Sequence, residues 1–264
     1  MSNEVCGVIV LDLKTFFDGE GIDVSSEVNV ANLPEADRSD ALQMLPSARS
    51  VIVFGKEVPV QAYRMTPREQ TRVMLRIAGE LDNSAKRLAR LLNMDGIPAL
   101  PVPLYLPVRV QDGRVHGVVR LKNIAEAGGL GSIGKSSVLL SPRYGPRLLL
   151  LGVVTNQPVS EYGPGDNTPV STATPSPGFC TGCNRCLKVC PGGAFQPDGV
   201  DAFRCRTVRV WVPPFLVAVV KWMLGRQFLL KCAAPFAPWI ARMATIRCSL
   251  CVTNCPLFEG AKGK

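Results

Sequence analysis

The feature that most constrains this chain is a pair of cysteine runs in its second half. Cys180, Cys183, Cys186, Cys190 and Pro191 form C-x2-C-x2-C-x3-C-P, and Cys248, Cys251, Cys255 and Pro256 form C-x2-C-x3-C-P. Gaps of two residues let a turning backbone aim successive thiolates at one centre, while the three-residue gap aims the last one elsewhere. The proline then ends the turn, because it has no N–H with which to continue a hydrogen-bonded ladder. Runs of this form hold iron–sulfur cubanes, three thiolates on one cluster and the fourth on its neighbour. Two 4Fe–4S clusters need eight thiolates, and the two runs supply seven. The eighth must be Cys205, Cys232 or Cys6. Cys205, fifteen residues after the first run, is the choice. Cys232 is the reserve and otherwise sits in an apolar stretch as a small apolar residue. Cys6 lies in the other half, within a run that reads as a buried strand. The competing readings are a pair of zinc sites and a disulfide cage.

Composition narrows this further. Nine of the ten Cys follow residue 179, and the chain of 264 residues has one His. A single imidazole excludes a Rieske cluster and a zincin helix, which need two. Imidazole catalysis would run through His116 alone. With 47% hydrophobic and 19% charged residues, the chain has enough apolar surface to build a core. The start, M-S-N-E-V-C-G-V-I-V-L-D-L-K, carries an acid and no basic segment before its apolar run, so it does not read as a secretory signal. Clustered Cys without an export signal favour metal ligation in a reducing compartment, and a cytoplasmic protein is expected.

Residues 156–178 hold five Pro and three Gly and few apolar side chains, the composition of a linker. The expected organisation is an α/β cofactor-binding domain over 1–156, the linker over 157–178, and a ferredoxin-like two-cluster module over 179–264 with a helical insert at 207–247. In the first domain, Val5–Leu11, Ser50–Phe54 and Arg147–Thr155 read as buried strands. Thr66-Pro67-Arg68-Glu69 is a capping box with Pro at the first helical position. Val73, Ile77, Leu81, Ala85, Leu88 and Leu92 follow at helical spacing, and 93–96 supplies the stop. A second helix is expected from about Val118 to Ala127, ending at Gly128-Gly129. Strands alternating with helices indicate α/β layers. Gly129 to Ser136 also matches G-x4-G-K-S, but a phosphate loop needs a strand before it and a long helix after it. Here a helix end enters, and Pro142 follows six residues after Ser136. The segment reads instead as a glycine-rich turn against which a large planar cofactor can lie, or as a tight turn that holds no ligand.

Three segments carry a family resemblance. A-G-G-L-G-S-I-G-K-S-S-V-L-L-S-P-R-Y-G-P-R at 127–147 resembles the hallmark of epoxyqueuosine reductases and their reductive-dehalogenase relatives, and a strand, a linker and the double cysteine run follow as in that family. L-P-S-A-R-S-V-I-V at 45–53 is similar to the family's entry into an early strand. The resemblance implies a nitroreductase-like, corrinoid-reductase type of first domain and a cobalamin fed electrons by two 4Fe–4S clusters. It implies Gly129, Gly131, Gly134, Lys135 and Tyr144 at the cofactor. It also assigns Cys180, Cys183, Cys186 and Cys255 to one cluster, and Cys190, Cys205, Cys248 and Cys251 to the other. The family's acidic proton donor, just ahead of a proline, has no counterpart in V-Q-D-G-R-V-H-G-V-V-R-L-K, where Asp112 or His116 would have to substitute. The tRNA-holding extension of long members does not follow Cys255, and the interval from Cys205 to Cys248 is longer than usual.

Between Asp201 and Glu259 there is no acid, but there are eight Arg or Lys and all three Trp. Apolar stretches interrupted by Lys221 and Arg226 suit an interfacial helix more than a span. They equally suit docking of an acidic redox partner over residues 204–247, or helices packed over the clusters with basic stems reaching outward. The expected activity is an oxidoreductase that takes electrons from a low-potential donor of ferredoxin or flavodoxin type. tRNA is the less favoured partner, and the alternative role is a non-catalytic electron carrier docking on a membrane or a redox protein.

Overall fold

The computed structural model describes residues 12–111, 114–159, 178–196, 199–226 and 245–259, together with 228, 230, 232, 234–236 and 239. The expected strand at Val5–Leu11, including Cys6, and most of the linker lie outside the described residues. In chain order the first half runs α1 (Leu13–Glu20), β1 (Val24–Asn29), α2 (Glu35–Met44), β2 (Ser50–Glu57), α3 (Pro67–Met94), β3 (Ala99–Pro101), β4 (Val108–Gln111), β5 (Arg114–Gly117), α4 (Leu121–Ala127), β6 (Ser132–Ile133), β7 (Leu139–Leu140) and β8 (Leu148–Thr155).

Four of these strands form one sheet in the order β1-β2-β8-β3. Every pairing in it is antiparallel, with Val53 opposite Gly152 and Val28 opposite Val51. The alternation of helices and strands in the sequence therefore yields an α+β sheet, without parallel crossovers. The middle of strand β2, Val51–Phe54, is a continuous apolar run because both of its faces are covered. Ile52 and Phe54 point to the side of α1 and α3, where they meet Phe17, Ile77, Leu81, Leu88 and Leu92. Val51 and Val53 point to the other side, against Val30, Ile124 and Ala125. Full burial of a side chain of this size contributes about 1.5–3 kcal/mol.

Helix α3 follows the sequence closely. Thr66 Oγ1 accepts from Glu69 N at 3.4 Å, and Thr66 N donates to Glu69 Oε2 at 3.1 Å, which completes the capping box. Asp95 and Gly96 close the helix, the latter at φ 76°.

The second half contains α5 (Arg185–Lys188), the small ribbon β9 (Phe195–Gln196) and β10 (Gly199–Val200), then α6 (Arg206–Arg209), α7 (Val217–Leu224) and α8 (Leu250–Thr253). It is tied to the first half at several points. Gly145, at φ 56°, lets the backbone pass the Leu257 carbonyl so closely that a Cβ would lie 1.8 Å from that oxygen. Buried Arg147 donates from Nη1 to Glu57 and to Val58 O (3.1 Å), and from Nε to Phe258 O (2.5 Å). The Tyr63 and Phe258 rings meet edge to face at 5.2 Å. Ile246 N donates to Thr71 Oγ1 at 2.8 Å, and Phe179 N to Ser132 Oγ at 2.9 Å.

Burial at this junction pushes the Tyr63 phenol up to about 12. The neutral phenol is the form the fold favours, so its contribution is complete below the ordinary value near 10 and is lost as pH rises from there through 12. In a tyrosinate absorbance titration Tyr63 should give a late phase near pH 12, and burial also raises the Tyr144 phenol. Tyr63→Phe should remove that late phase. A chain whose tyrosines all ionise together near pH 10 would contradict this packing.

Candidate iron–sulfur site

The first cysteine run starts where Phe179 N is anchored on Ser132, beside the glycine turn. Gly182 (φ 70°) and Asn184 (φ 57°) both take left-handed conformations and fold the segment back on itself before α5. This turn brings Cys180, Cys183 and Cys186 to one cavity, and the opposite wall is Cys255, Pro256 and Leu257 from the second run. Gly134, Lys135, Ser136 and Leu140 complete the lining. Lys135 is fixed there by a 2.8 Å bond from Nζ to Asn184 Oδ1. Cys183 Sγ, which faces the Arg185 amide, has its thiol held below the usual range. Burial raises the Cys186 and Cys255 thiols, and each also feels the charge of Cys180 and Cys183.

The other four thiols form a second group. Burial raises the Cys251 thiol to about 11, and Cys248, Cys205 and Cys190 add to the effect. Cys190 Sγ accepts from Ala194 N at 3.4 Å. Cys205 caps α6, and Thr207 Oγ1 in that helix accepts from Arg247 N and Cys248 N, both at 3.2 Å. Neighbouring thiols that penalise one another's ionisation are a donor set for a cationic centre, which takes them as thiolates and releases their protons. Four thiols per group fit a 4Fe–4S cubane. Cys232 is exposed. Among the described residues, no three His, Cys, Asp or Glu side chains converge as tightly as a single metal ion requires.

The glycine turn is held mainly by the chain's own packing. A Cβ on Gly131 would meet the Leu140 carbonyl oxygen at 2.3 Å, and one on Gly134 would meet the Leu140 side chain at 2.8 Å. Strands β6 and β7 pair across this turn as Ser132 opposite Leu140 and Ile133 opposite Leu139. No helix leaves it before β7, so the context of a phosphate loop is absent within 129–147. Gly129 takes φ 76° with open space where its Cβ would point. Tyr144 is buried, with the Arg143 guanidinium 5.2 Å from its ring centre.

Of the two candidate proton donors, Asp112 lies outside the described residues. His116 sits in β5 opposite Arg109 on a hairpin that packs on α7, and it does not line the thiol cavity. Its Nδ1 is buried without a hydrogen-bond partner. Sequence reasoning missed three polar residues nearby. Asp37 and Asp40 of α2 are buried acids; Arg120 Nε reaches both, at 2.9 and 3.0 Å, and Arg109 reaches Asp40 at 2.6 Å. Lys122 Nζ donates to Ser137 O and Oγ behind the glycine turn, and burial lowers its ammonium. The only sequence signal for these was charge at i, i+3 in a polar helix, which reads equally well as a solvated face.

Such a fold, with cysteine groups set against an α+β sheet, is that of an iron–sulfur protein, and residues 173–196 match the 4Fe-4S binding domain. The chain is 28% identical, over 83% of its length, to an epoxyqueuosine reductase of Gloeobacter violaceus, and 23% identical, over 82%, to that of Bacillus subtilis. It covers 59% and 49% of those two relatives, so it spans about half their length. A solved epoxyqueuosine reductase with an epoxyqueuosine-modified tRNA-Tyr stem loop has a similar fold, with a TM-score of 0.55 and 18% identity, over 95% of this chain and 65% of that one. The chain thus resembles the epoxyqueuosine reductases along most of its length.

Proposed function

We propose that the chain is an iron–sulfur reductase of the epoxyqueuosine reductase kind, with a corrinoid or similar cofactor over a nitroreductase-like first domain. The observation that carries this reading is the position of the glycine turn, which forms a wall of the same cavity as Cys180, Cys183, Cys186 and Cys255. These four would hold one 4Fe–4S cluster, and Cys190, Cys205, Cys248 and Cys251 the other. When bound, such clusters pass single electrons at potentials set by charge and by hydrogen bonds to sulfur. The chain's own residues supply those terms. Lys135 places an ammonium beside the first group, and the Ala194 amide donates to Cys190 Sγ. Lys122, whose Nζ donates to Ser137 O and Oγ on the far side of the turn, is a candidate proton source. The reductant would be a low-potential ferredoxin or flavodoxin in the cytoplasm. An epoxyqueuosine-bearing tRNA stem loop is the substrate to try first.

The second reading, an electron carrier without a reaction of its own, has one observation in its favour. The missing side chains of Gly131 and Gly134 make room for Leu140 and leave none for a ligand on that side. Anaerobic purification followed by metal and cofactor analysis separates the two. About eight iron per chain with bound or bindable cobalamin supports the reductase. The same iron content with no affinity for cobalamin supports the carrier.

A further inference from the structure

We propose that α6 and α7, with the exposed Phe228 and Trp239 that follow them, form a peripheral docking surface for an anionic lipid bilayer. The argument begins with exposure. Phe215 is 78% exposed, Trp222 57% and Trp239 63%, and Trp211, Val219 and Phe228 are exposed as well. Six large apolar side chains exposed within one stretch of sequence point to an interaction site. Helix α7 packs on β4 by one side, and these side chains lie on the side left open.

The charge beside it is of one sign. Arg204, Arg206 and Arg209 line a single pocket with Pro191 and Gly192. Arg204 has Asp201 at 3.8 Å; Arg206 and Arg209 have no acidic partner among the described residues. Residues 202–258 contain no acid that could neutralise them. The Arg226 guanidinium lies 4.3 Å from the Trp222 ring centre, which sets charge and indole at one level. Aromatic rings beside unpaired arginines match the boundary between acyl chains and anionic headgroups, with lipid phosphate in the arginine pocket. The phosphate backbone of an RNA duplex would use the arginines, but it would leave the Phe and Trp side chains in water.

The surface lies on the bilayer and does not cross it. Helix α7 has eight residues, about 12 Å of rise against a hydrocarbon core of about 30 Å. No helix among the described residues is long and apolar enough to span a membrane. Because Cys205 caps α6, docking would turn the second thiol group toward the lipid.

The test uses the full chain, purified anaerobically with its iron. All three Trp lie in this segment, so tryptophan emission reports on it directly. At low salt the protein should sediment with phosphatidylglycerol-containing vesicles, with a blue shift in emission, and remain in solution with phosphatidylcholine vesicles. Phe215→Ser combined with Trp239→Ser should weaken partitioning by roughly tenfold or more at unchanged iron content and cluster absorbance. Arg206→Ala and Arg209→Ala should each weaken it by about fivefold. Absence of sedimentation with anionic vesicles at low salt would overturn the proposal. So would binding that an RNA hairpin displaces and that the Phe215 and Trp239 changes leave intact, since that identifies a phosphate-backbone surface.

Discussion

Cys205→Ala should lose about half of the iron, near four of the eight atoms that two cubanes contain. Cys205 belongs to the group in which Cys251 feels Cys248, Cys205 and Cys190, whereas Cys180, Cys183, Cys186 and Cys255 share a separate cavity. Removing one thiolate from the second group should therefore empty that group and leave the first intact. Iron and sulfide analysis of anaerobically purified protein gives the stoichiometry. Electron paramagnetic resonance of the reduced protein should change from a spectrum of two coupled clusters to that of a single one. Cys232→Ala is the control and should keep all of its iron. Unchanged iron in Cys205→Ala, with a loss in Cys232→Ala, would transfer the eighth ligand to the insert.

Gly145→Ala should destabilise the protein by about 4 kcal/mol, at the upper end for a single substitution. Two costs combine there. Left-handed backbone costs a residue with a Cβ about 1–2 kcal/mol. The new methyl would also lie 1.8 Å from the Leu257 carbonyl, and backbone cannot swing aside as a flexible side chain would. Leu257 and its neighbour Phe258 would have to lift off Tyr63 and Arg147, which opens the junction beside Cys255. Gly129→Ala isolates the first cost, because Gly129 has φ 76° with nothing within 4 Å of its would-be Cβ. Denaturant unfolding should show the Gly129 variant losing about 1–2 kcal/mol and the Gly145 variant clearly more. Equal losses would mean that the contact with Leu257 is not tight.

Some of this architecture could be read from residues alone. Helix α3 was legible because its cap, its apolar stripe and its stop are all local. Strand β2 was legible in part; the apolar run Ser50–Phe54 continues through Gly55 and Lys56 to Glu57, where a polar end still pairs with β8. Strand β1 was not visible, since V-S-S-E-V-N buries only Glu27 and Val28 and has no clear alternation. Without β1 and the β3–β8 pairing the antiparallel order could not be inferred. The glycine turn was recognisable as a turn, but not that Leu140 fills it, because that contact depends on pairing between β6 and β7. The carboxylates of Asp37 and Asp40 are another such case: their partners Arg109 and Arg120 are remote in sequence. Counting showed that one thiolate beyond the two runs was needed, because a cluster's demand for thiolates is fixed, but it left Cys205, Cys232 and Cys6 open; that Cys205 stands beside Cys190, Cys248 and Cys251 depends on packing.

The hydroxyl of Thr71 has a practical consequence. It donates to Pro67 O in the first turn of α3 at 2.6 Å and accepts from Ile246 N, two residues before the second cysteine run. One side chain thus secures both the start of the longest helix and the approach to the second thiol group. A fragment comprising only residues 178–259 would leave the Ile246 and Phe179 amides without Thr71 and Ser132 as acceptors, and the first thiol cavity without Gly134, Lys135, Ser136 and Leu140. Studies that dissect this chain into a sheet domain and a ferredoxin would be working with two incomplete objects.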